Sequence, residues 1–233
     1  MPTLYLIPIT IADDSIDYIP PITLRVLHEL DCFFVERIRT ARRFVKSLDS
    51  NFNINAVEFI EMDKRDMNNN YTLISSIIST QRNFSIMSES GLPCIADPGY
   101  QIVDRARKAG YNIRPLSGPG SIYMALMASG LNGQQFVFHG YLPIKDRELN
   151  VKLKNMADEI MRTGYTHLFI ETPYRNERML TALLKIIPTR LKLTLAMDIS
   201  GAHESIKSKS IGEWKDTPKE PMPKVPCIFL LGI

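Results

Sequence analysis

The chain is short of cysteine. The three it has, Cys32, Cys94 and Cys227, stand apart with no CxxC spacing. That argues against a disulfide framework or a zinc site and fits a reducing cytoplasm. No apolar run approaches the roughly 20 residues a membrane span needs. The start, Met1-Pro-Thr-Leu-Tyr-Leu-Ile-Pro8, lacks a basic region and holds only a short apolar run. It does not read as a secretory signal, and no membrane association is expected. Neither sign of charge dominates: Lys+Arg is 28 and Asp+Glu is 25, a formal net charge of +3. HExxH, GxSxG and a nucleophile paired with a base at motif spacing are all missing. His28, His139, His167 and His203 are scattered, so no metal centre is expected. There is no internal repeat and no low-complexity tract.

What is present is a substantial apolar fraction, 45% of 233 residues, enough for one large or two modest domains. Short apolar runs at Thr3–Ile7, Cys32–Val35, Val57–Ile60, Ser85–Ser88 and Ile113–Leu116 read as buried strands. Between them lie helical patterns. Thr23 precedes Leu24, Val26, Leu27 and Leu30 at helical spacing. Glu36–Leu48 sets Phe44, Val45 and Leu48 against Arg37, Arg39, Arg42, Arg43 and Lys46. Tyr71–Thr80 reads as a helix, while Ile9–Pro21 and the polar Asp63–Asn70 read as loops. Strands alternating with helices imply βαβ units and a parallel sheet.

A boundary falls near Pro115–Gly118. Beyond it, helices are expected at Ser121–Ser129, Arg147–Thr163 and Asn176–Ile187. Strands are expected at Phe136–Tyr141, His167–Glu171, Lys192–Asp198, Ile206–Ser210 and Cys227–Leu231. Trp214–Pro226, rich in Lys and Pro, reads as a surface loop. The expected fold class is α/β with two domains: a parallel-sheet domain over 1–116 and a mixed-sheet domain over 117–233.

Phe84 to Ala125 is the densest functional signal. Ser88-Glu-Ser-Gly91-Leu-Pro93 and Asp97-Pro98-Gly99 follow one strand, and Ser117-Gly-Pro-Gly-Ser121 follows another and opens a helix. Gly permits close approach of a ligand and Pro fixes the path of the chain. Ordinary tight turns, with Asp97 capping the next helix, would look similar for either piece alone. Together, at the carboxyl ends of strands, they read as a ligand cradle. No Lys follows Gly120, as a phosphate loop requires, and Tyr123 stands where a dinucleotide fingerprint needs its third Gly. Amides at the helix start then suit a carboxylate rather than a phosphate. Phe138-His-Gly-Tyr-Leu-Pro143, Glu171-Thr-Pro-Tyr174-Arg175-Asn176 and Ala196-Met-Asp198 end second-half strands. They could line a slot for a flat adenine or be plain strand ends. The basic segment from Arg37 to Lys46 is either a solvated helix face or a grip on nucleic-acid phosphates. Tyr174 and Arg175 could add stacking and charge.

With these motifs in view, the chain resembles the tetrapyrrole-methylase-type (class III) methyltransferases that use S-adenosylmethionine (SAM). Within that group it is similar to the branch that methylates the 2′-hydroxyl of a cytidine in small-subunit ribosomal RNA. The resemblance rests on Leu4-Tyr-Leu-Ile-Pro8, Val35-Glu36-x-x-Arg39-Thr40, the loops of 88–99, Pro115-Leu-Ser-Gly-Pro-Gly-Ser121, Gly140-Tyr-Leu-Pro143 and Glu171-Thr-Pro-Tyr174-Arg175. It implies two α/β domains with SAM in the cleft between them, a homodimer, and RNA as partner. Carried over position by position, it implies cofactor contacts at Pro8 and Ile9 and along Ser88, Glu89, Ser90, Gly91, Pro93 and Ile95. Further contacts fall at Gly120, Ser121 and Ile122, and at Tyr141, Tyr174, Met197 and Pro226.

Arg37, Arg39, Arg42, Arg43 and Arg175 are the candidate substrate contacts. A ribose hydroxyl is a weak acid and needs a base or a partner for the developing anion. Glu36 and Glu89 are the candidates, with no choice between them. Two segments depart from the branch's pattern. Ile11-Ala12-Asp13-Asp14 stands where the branch has Gly-Asn-Leu after Pro8, and Glu36-Arg37-Ile38-Arg39 replaces Glu-Asp-Thr-Arg. Two other readings therefore stay open: methylation of a small molecule such as a tetrapyrrole, and a non-catalytic module associated with RNA or the ribosome.

Overall fold

The computed structural model describes residues 1–13, 15–62, 67–97, 99–218 and 221–233, and of 67–70 the backbone alone. Asp14, Pro98 and 63–66, which figured in the sequence reading, lie outside the described residues, as do 219–220. Two compact units divide the chain, Met1–Gly120 and Ser121–Ile233.

The first unit builds its sheet from β1 (Thr3–Ile7), β2 (Cys32–Val35), β3 (Glu58–Glu61), β4 (Phe84–Met87) and β5 (Asn112–Pro115). Their order is β3-β2-β4-β1-β5, and every pairing is parallel. Parallel neighbours need a crossover, and helices supply it: α1 (Pro21–Glu29), α2 (Ile38–Leu48), α3 (Met67–Ser79) and α4 (Tyr100–Lys108). Side chains alternate along each strand and so feed two cores. Tyr5, Ile7, Phe33, Val35 and Met87 pack with Val26 and Leu27 of α1 and Phe44 and Val45 of α2. Leu4, Phe34, Phe84 and Ile86 pack on the other face with Ile74 and Ile77 of α3 and Ile102 and Ala106 of α4. A strand buried on both faces reads as an unbroken apolar run, as Cys-Phe-Phe-Val does in β2.

The second unit has β6 (Phe136–Tyr141), β7 (Thr166–Glu171), β8 (Lys192–Met197), β9 (Ser205–Ser210) and β10 (Cys227–Gly232), ordered β6-β7-β10-β8-β9. β6 and β7 run parallel, whereas β10 is antiparallel to β7 and β8, and β8 to β9. The sheet is mixed, as expected. Phe169, Leu195 and Phe229 face α6 (Asp146–Thr163) and α7 (Asn176–Ile186). Leu168, Ala196 and Ile228 face α5 (Ser121–Ser129). The rings of Phe169 and Phe229 stack with an interplanar angle of 5° and centroids 5.3 Å apart.

Four local expectations change. Thr23 does not open α1; the helix starts at Pro21 behind Pro20, and Thr23 is buried inside it. Proline suits a first turn because its missing N–H has no helical partner there. The end of the supposed loop 63–70 already belongs to α3, which begins at Met67. The stretch from Trp214 does not begin as a loop, because α8 (Ile211–Asp216) includes it. Ser210 and Glu213 cap that helix reciprocally, through Glu213 N to Ser210 Oγ at 3.2 Å and Ser210 N to Glu213 Oε2 at 2.8 Å. A single turn of 3-10 helix, Ile16–Tyr18, also interrupts the expected loop 9–21.

Candidate functional site

Topology places the first set of residues. β1 and β4 are neighbours, yet the chain leaves them in opposite directions. After β1 it passes to α1 on one face of the sheet, and after β4 to α4 on the other. A crevice opens where such connections part, outside the carboxyl ends of the strands. Pro8–Ile11 and Ser88–Asp97 border it. Two backbone bonds join them, Ile9 N to Gly91 O at 3.0 Å and Gly91 N to Thr10 O at 3.4 Å. The buried Ser88 hydroxyl donates towards the carbonyls of Ser90 and Gly91, each at 3.2 Å.

The loop after β4 is strained. Gly91 has φ +67°, and Cys94 and Ala96, which carry side chains, have φ +67° and +62°. Left-handed non-glycine residues cost about 1–3 kcal/mol each and gather at binding sites. The loop after β5 comes close to the same place. A methyl group on Gly118 would lie 2.3 Å from Pro8 Cβ, and one on Gly91 would lie 3.3 Å from Pro119 O. Glycine here lets bare main chain approach, so the loops form a cradle with little side-chain bulk. Pro93 is buried, Glu89 half-buried, and Ser90 and Ile95 exposed.

In the second unit, register gathers the other set at one edge of its sheet. Cys227 pairs with both Glu171 and Met197, and Tyr141 pairs with Ile170. Tyr141, the Thr172–Tyr174 turn, Met197 and Pro226 therefore share that edge. Tyr141 and Tyr174 are 60% and 83% exposed, unusual for rings of that size, while Met197 is buried. Asp198 and Ser200 follow with φ +50° and +63°, a second strained strand end. Gly120 closes the first unit, and Ser121 opens α5, whose Ile122 is buried beside Ile228.

Charged groups at the two strand-end regions differ in kind. Arg37, Arg39, Arg42 and Arg43 project from α2 and its entry and are all exposed. Arg37 Nε lies 3.2 Å from Glu89 Oε1, and Thr40 Oγ1 donates to the same oxygen at 3.4 Å. Arg43 Nη2 donates to Asp13 Oδ1 at 2.9 Å. Arg42 rests over the Phe59 ring at 5.4 Å. Arg175 is different: its Nη2 sits 2.6 Å from Oε2 of Glu171, whose side chain is fully buried. Glu36, at the end of β2, is 4% exposed.

Beside the first cradle lies a cavity of about 250 Å³. Its walls are Ile9, Thr10, Ile11 and Asp13 from the loop after β1, Thr40, Arg43, Phe44 and Ser47 from α2, and Glu89 from the loop after β4. The sequence reading names neither Thr10 nor Ser47, and it names Thr40 and Phe44 without placing them at a site. The spacing of Thr40, Arg43 and Ser47, at i, i+3 and i+7, marks one face of a helix and could have pointed to them.

Burial pushes the thiols of Cys32 and Cys227 up to about 12 and that of Cys94 up to about 11, so none is a thiolate at neutral pH. Among the described residues no group of three His, Cys, Asp or Glu side chains could hold a metal ion. Nor, among them, is any helix long and apolar enough to cross a membrane.

The fold defines the class first. The structure of the methyltransferase CobJ aligns over 100% of this chain and 94% of its own, with TM-score 0.65 at 16% identity. The uroporphyrin-III-C-methyltransferase of Thermus thermophilus aligns over 99% and 92%, with TM-score 0.54. The architecture is thus that of the tetrapyrrole-methylase-type, class III methyltransferases. Sequence narrows the class. Ribosomal RNA small subunit methyltransferase I of Vibrio cholerae is 30% identical over 91% of this chain and 70% of its own length. The protein of that name from Escherichia coli O157:H7 is 29% identical over 90% and 70%. The chain belongs to the ribosomal RNA small subunit methyltransferase I family and is a methyltransferase. No family model matches it.

Proposed function

We propose that the protein transfers a methyl group from S-adenosylmethionine to a ribose 2′-hydroxyl of ribosomal RNA. The observation that carries this reading is the placement of exposed arginines on α2 against a side-chain-poor cradle at the β1/β4 crevice. The names of the curated relatives point the same way.

The cradle suits the cofactor chemically. Carbonyls of the loop at Ser88, Glu89, Ser90 and Gly91 are acceptors for a cation, and Pro8, Ile9, Pro93 and Ile95 add apolar surface. Amides at Gly120, Ser121 and Ile122 suit a carboxylate. Tyr141, Tyr174, Met197 and Pro226 offer flat or apolar surface for an adenine. When bound, SAM supplies an electrophilic methyl on a sulfonium. The residues must then hold the acceptor oxygen in line with it. The loops at 88–91 and 120–122 would hold SAM, and the methyl it would supply would go to that oxygen. The hydroxyl proton passes to a base, for which Glu36 and Glu89 are the carboxylates at the carboxyl ends of β2 and β4. Arg37, Arg39, Arg42 and Arg43 hold backbone phosphates, and Arg175, which shares its charge with Glu171, takes the weaker part. A homodimer and a cytoplasmic setting complete the proposal.

Calorimetric titration with SAM, followed by incubation of labelled SAM with small ribosomal subunits, tests it. Cofactor binding and labelled RNA are expected. Binding without labelled RNA would favour a small-molecule acceptor, and no binding would favour a non-catalytic module. Replacing Arg39 and Arg42 by Ala should weaken RNA binding. It should also flatten the dependence of log affinity on log salt by about two, roughly one per lost phosphate contact.

A further inference from the structure

The cavity beside α2 lies against the cradle without repeating it. It shares Ile9 and Glu89 with the cradle, and the bonds between Ile9, Thr10 and Gly91 fix its distance from the loop after β4. We infer that this cavity seats one nucleoside of the RNA, turned out of its strand, so that its ribose meets the cradle. The inference deepens the proposed RNA methylation and rests on it for the identity of the polymer.

Size, lining and charge all bear on the occupant. About 250 Å³ falls below the roughly 300–1,000 Å³ of pockets that take drug-sized ligands. It suits one heterocycle with its sugar; a tetrapyrrole macrocycle is far too large. The deep wall is apolar, with Ile9 at 2% and Phe44 at 5% exposure, a surface for the face of a base. Around it stand hydroxyls of Thr10, Thr40 and Ser47 and the carboxylates of Asp13 and Glu89. Base edges and ribose hydroxyls both donate and accept, so mixed hydroxyls and carboxylates match them. A bare phosphate would be repelled by the two carboxylates.

Among the described residues, the cationic lining residue is Arg43, at the exposed rim and paired with Asp13. That is where the phosphate of a turned-out nucleotide would emerge, and an exposed pair of this kind exchanges partners at little cost. RNA is commonly read through unstacked bases taken singly into pockets, and enzymes that work on one nucleotide extrude it.

The test fills the cavity and leaves the cradle alone. Ser47 sits on the exposed side of α2, and its hydroxyl donates to Phe44 O within its own helix. Ser47→Phe should intrude into the space, with Ser47→Ala as control and Thr10→Leu narrowing the opposite wall. Wild-type protein should bind ribonucleoside 5′-monophosphates, measured by ligand-observed NMR with the four nucleotides as probes, and Ser47→Phe should bind them about tenfold more weakly. Methyl transfer to small ribosomal subunits should fall about a hundredfold in Ser47→Phe and several-fold less in Ser47→Ala, which removes one hydroxyl without filling the space. Affinity for SAM should hold in all three variants.

Unchanged transfer in both Ser47→Phe and Thr10→Leu would overturn the inference and leave RNA methylation standing. So would a loss of SAM affinity parallel to the loss of activity, because the cavity would then belong to the cofactor. If wild-type protein binds SAM but labels no RNA, the proposed function fails. Nucleotide binding and its loss in Ser47→Phe would then still decide whether the cavity takes a nucleoside.

Discussion

Both units end a strand with a carboxylate and an arginine, and they use the pair in opposite ways. In the first unit, Arg43 and Asp13 are 68% and 85% exposed, and Arg37 and Glu89 are 70% and 34% exposed. In the second, Arg175 is 23% exposed and Glu171 not at all. Water screens the first kind, whose worth is about 0–1 kcal/mol. The second kind lies where an unpaired carboxylate costs several. The exposed arginines can therefore trade a carboxylate for a phosphate, whereas Arg175 must stay to neutralise Glu171. Sheet topology underlies the contrast. In an all-parallel sheet every carboxyl end opens at one edge, which collects loops and charges towards solvent. In the mixed sheet the start of β10 sits between the ends of β7 and β8 and helps enclose Glu171.

The largest effect should come from Arg175→Ala. It strands the buried Glu171 carboxylate and should cost about 3 kcal/mol, the low end for a buried pair, because the arginine keeps some water contact. Urea denaturation at neutral pH measures it. The salt dependence of RNA binding should change less in this variant than in Arg43→Ala; an equal change in both would erase the distinction drawn above.

Acid should separate the units next. His139 and His167, on neighbouring strands of the second sheet, share a 2.9 Å contact. Burial holds both below the usual histidine range, with the nearby Lys152 of α6 adding to it, and His139 is pushed down to about 4. Glu159 of α6 faces the same pair and partly opposes the shift on His167. In the unfolded chain these rings take up protons near pH 6.5, while the folded unit resists until well below that. Between those values the unfolded state binds more protons, so stability is full above about 6.5 and falls as pH drops towards 4. The urea midpoint should fall across that window, by less than in Arg175→Ala. His139→Phe should flatten the fall, and a midpoint independent of pH would contradict the assignment.

The smallest effect should be that of Arg43→Ala on stability, within about 1 kcal/mol. The same variant should nonetheless reduce the salt slope of RNA binding by about one. A stability loss as large as that of Arg175→Ala would show that the pair with Asp13 is structural, and would undo the comparison.

Much of the fold was legible. Cys-Phe-Phe-Val, Leu-Phe-Ile and Ile-Phe-Leu-Leu are short continuous apolar runs rich in aromatic and branched residues, as strands covered on both faces are. Loops rich in Gly and Pro marked the strand ends. Helix starts were less legible: α1 begins at a proline although Thr23 fits the usual cap, because Thr23 is needed in the core. The Ser210–Glu213 spacing fits a capping box, but the lysines and prolines that follow point to a loop. Of the site, the glycines and arginines were readable as types. Which arginine is held inside and which is offered to solvent was not, since that depends on how deep the partner carboxylate lies.

Taken alone, the sequence determined the alternation of strands and helices, the glycine-lined turns and the basic face of α2, because each follows from local spacing and backbone permission. Tertiary structure alone decided strand order, and with it where the chain parts around β1 and β4. It also decided the burial of Glu171 and the cavity between Phe44 and Ile9. Those depend on residues far apart in the chain meeting in space, and no local rule encodes the distance between them.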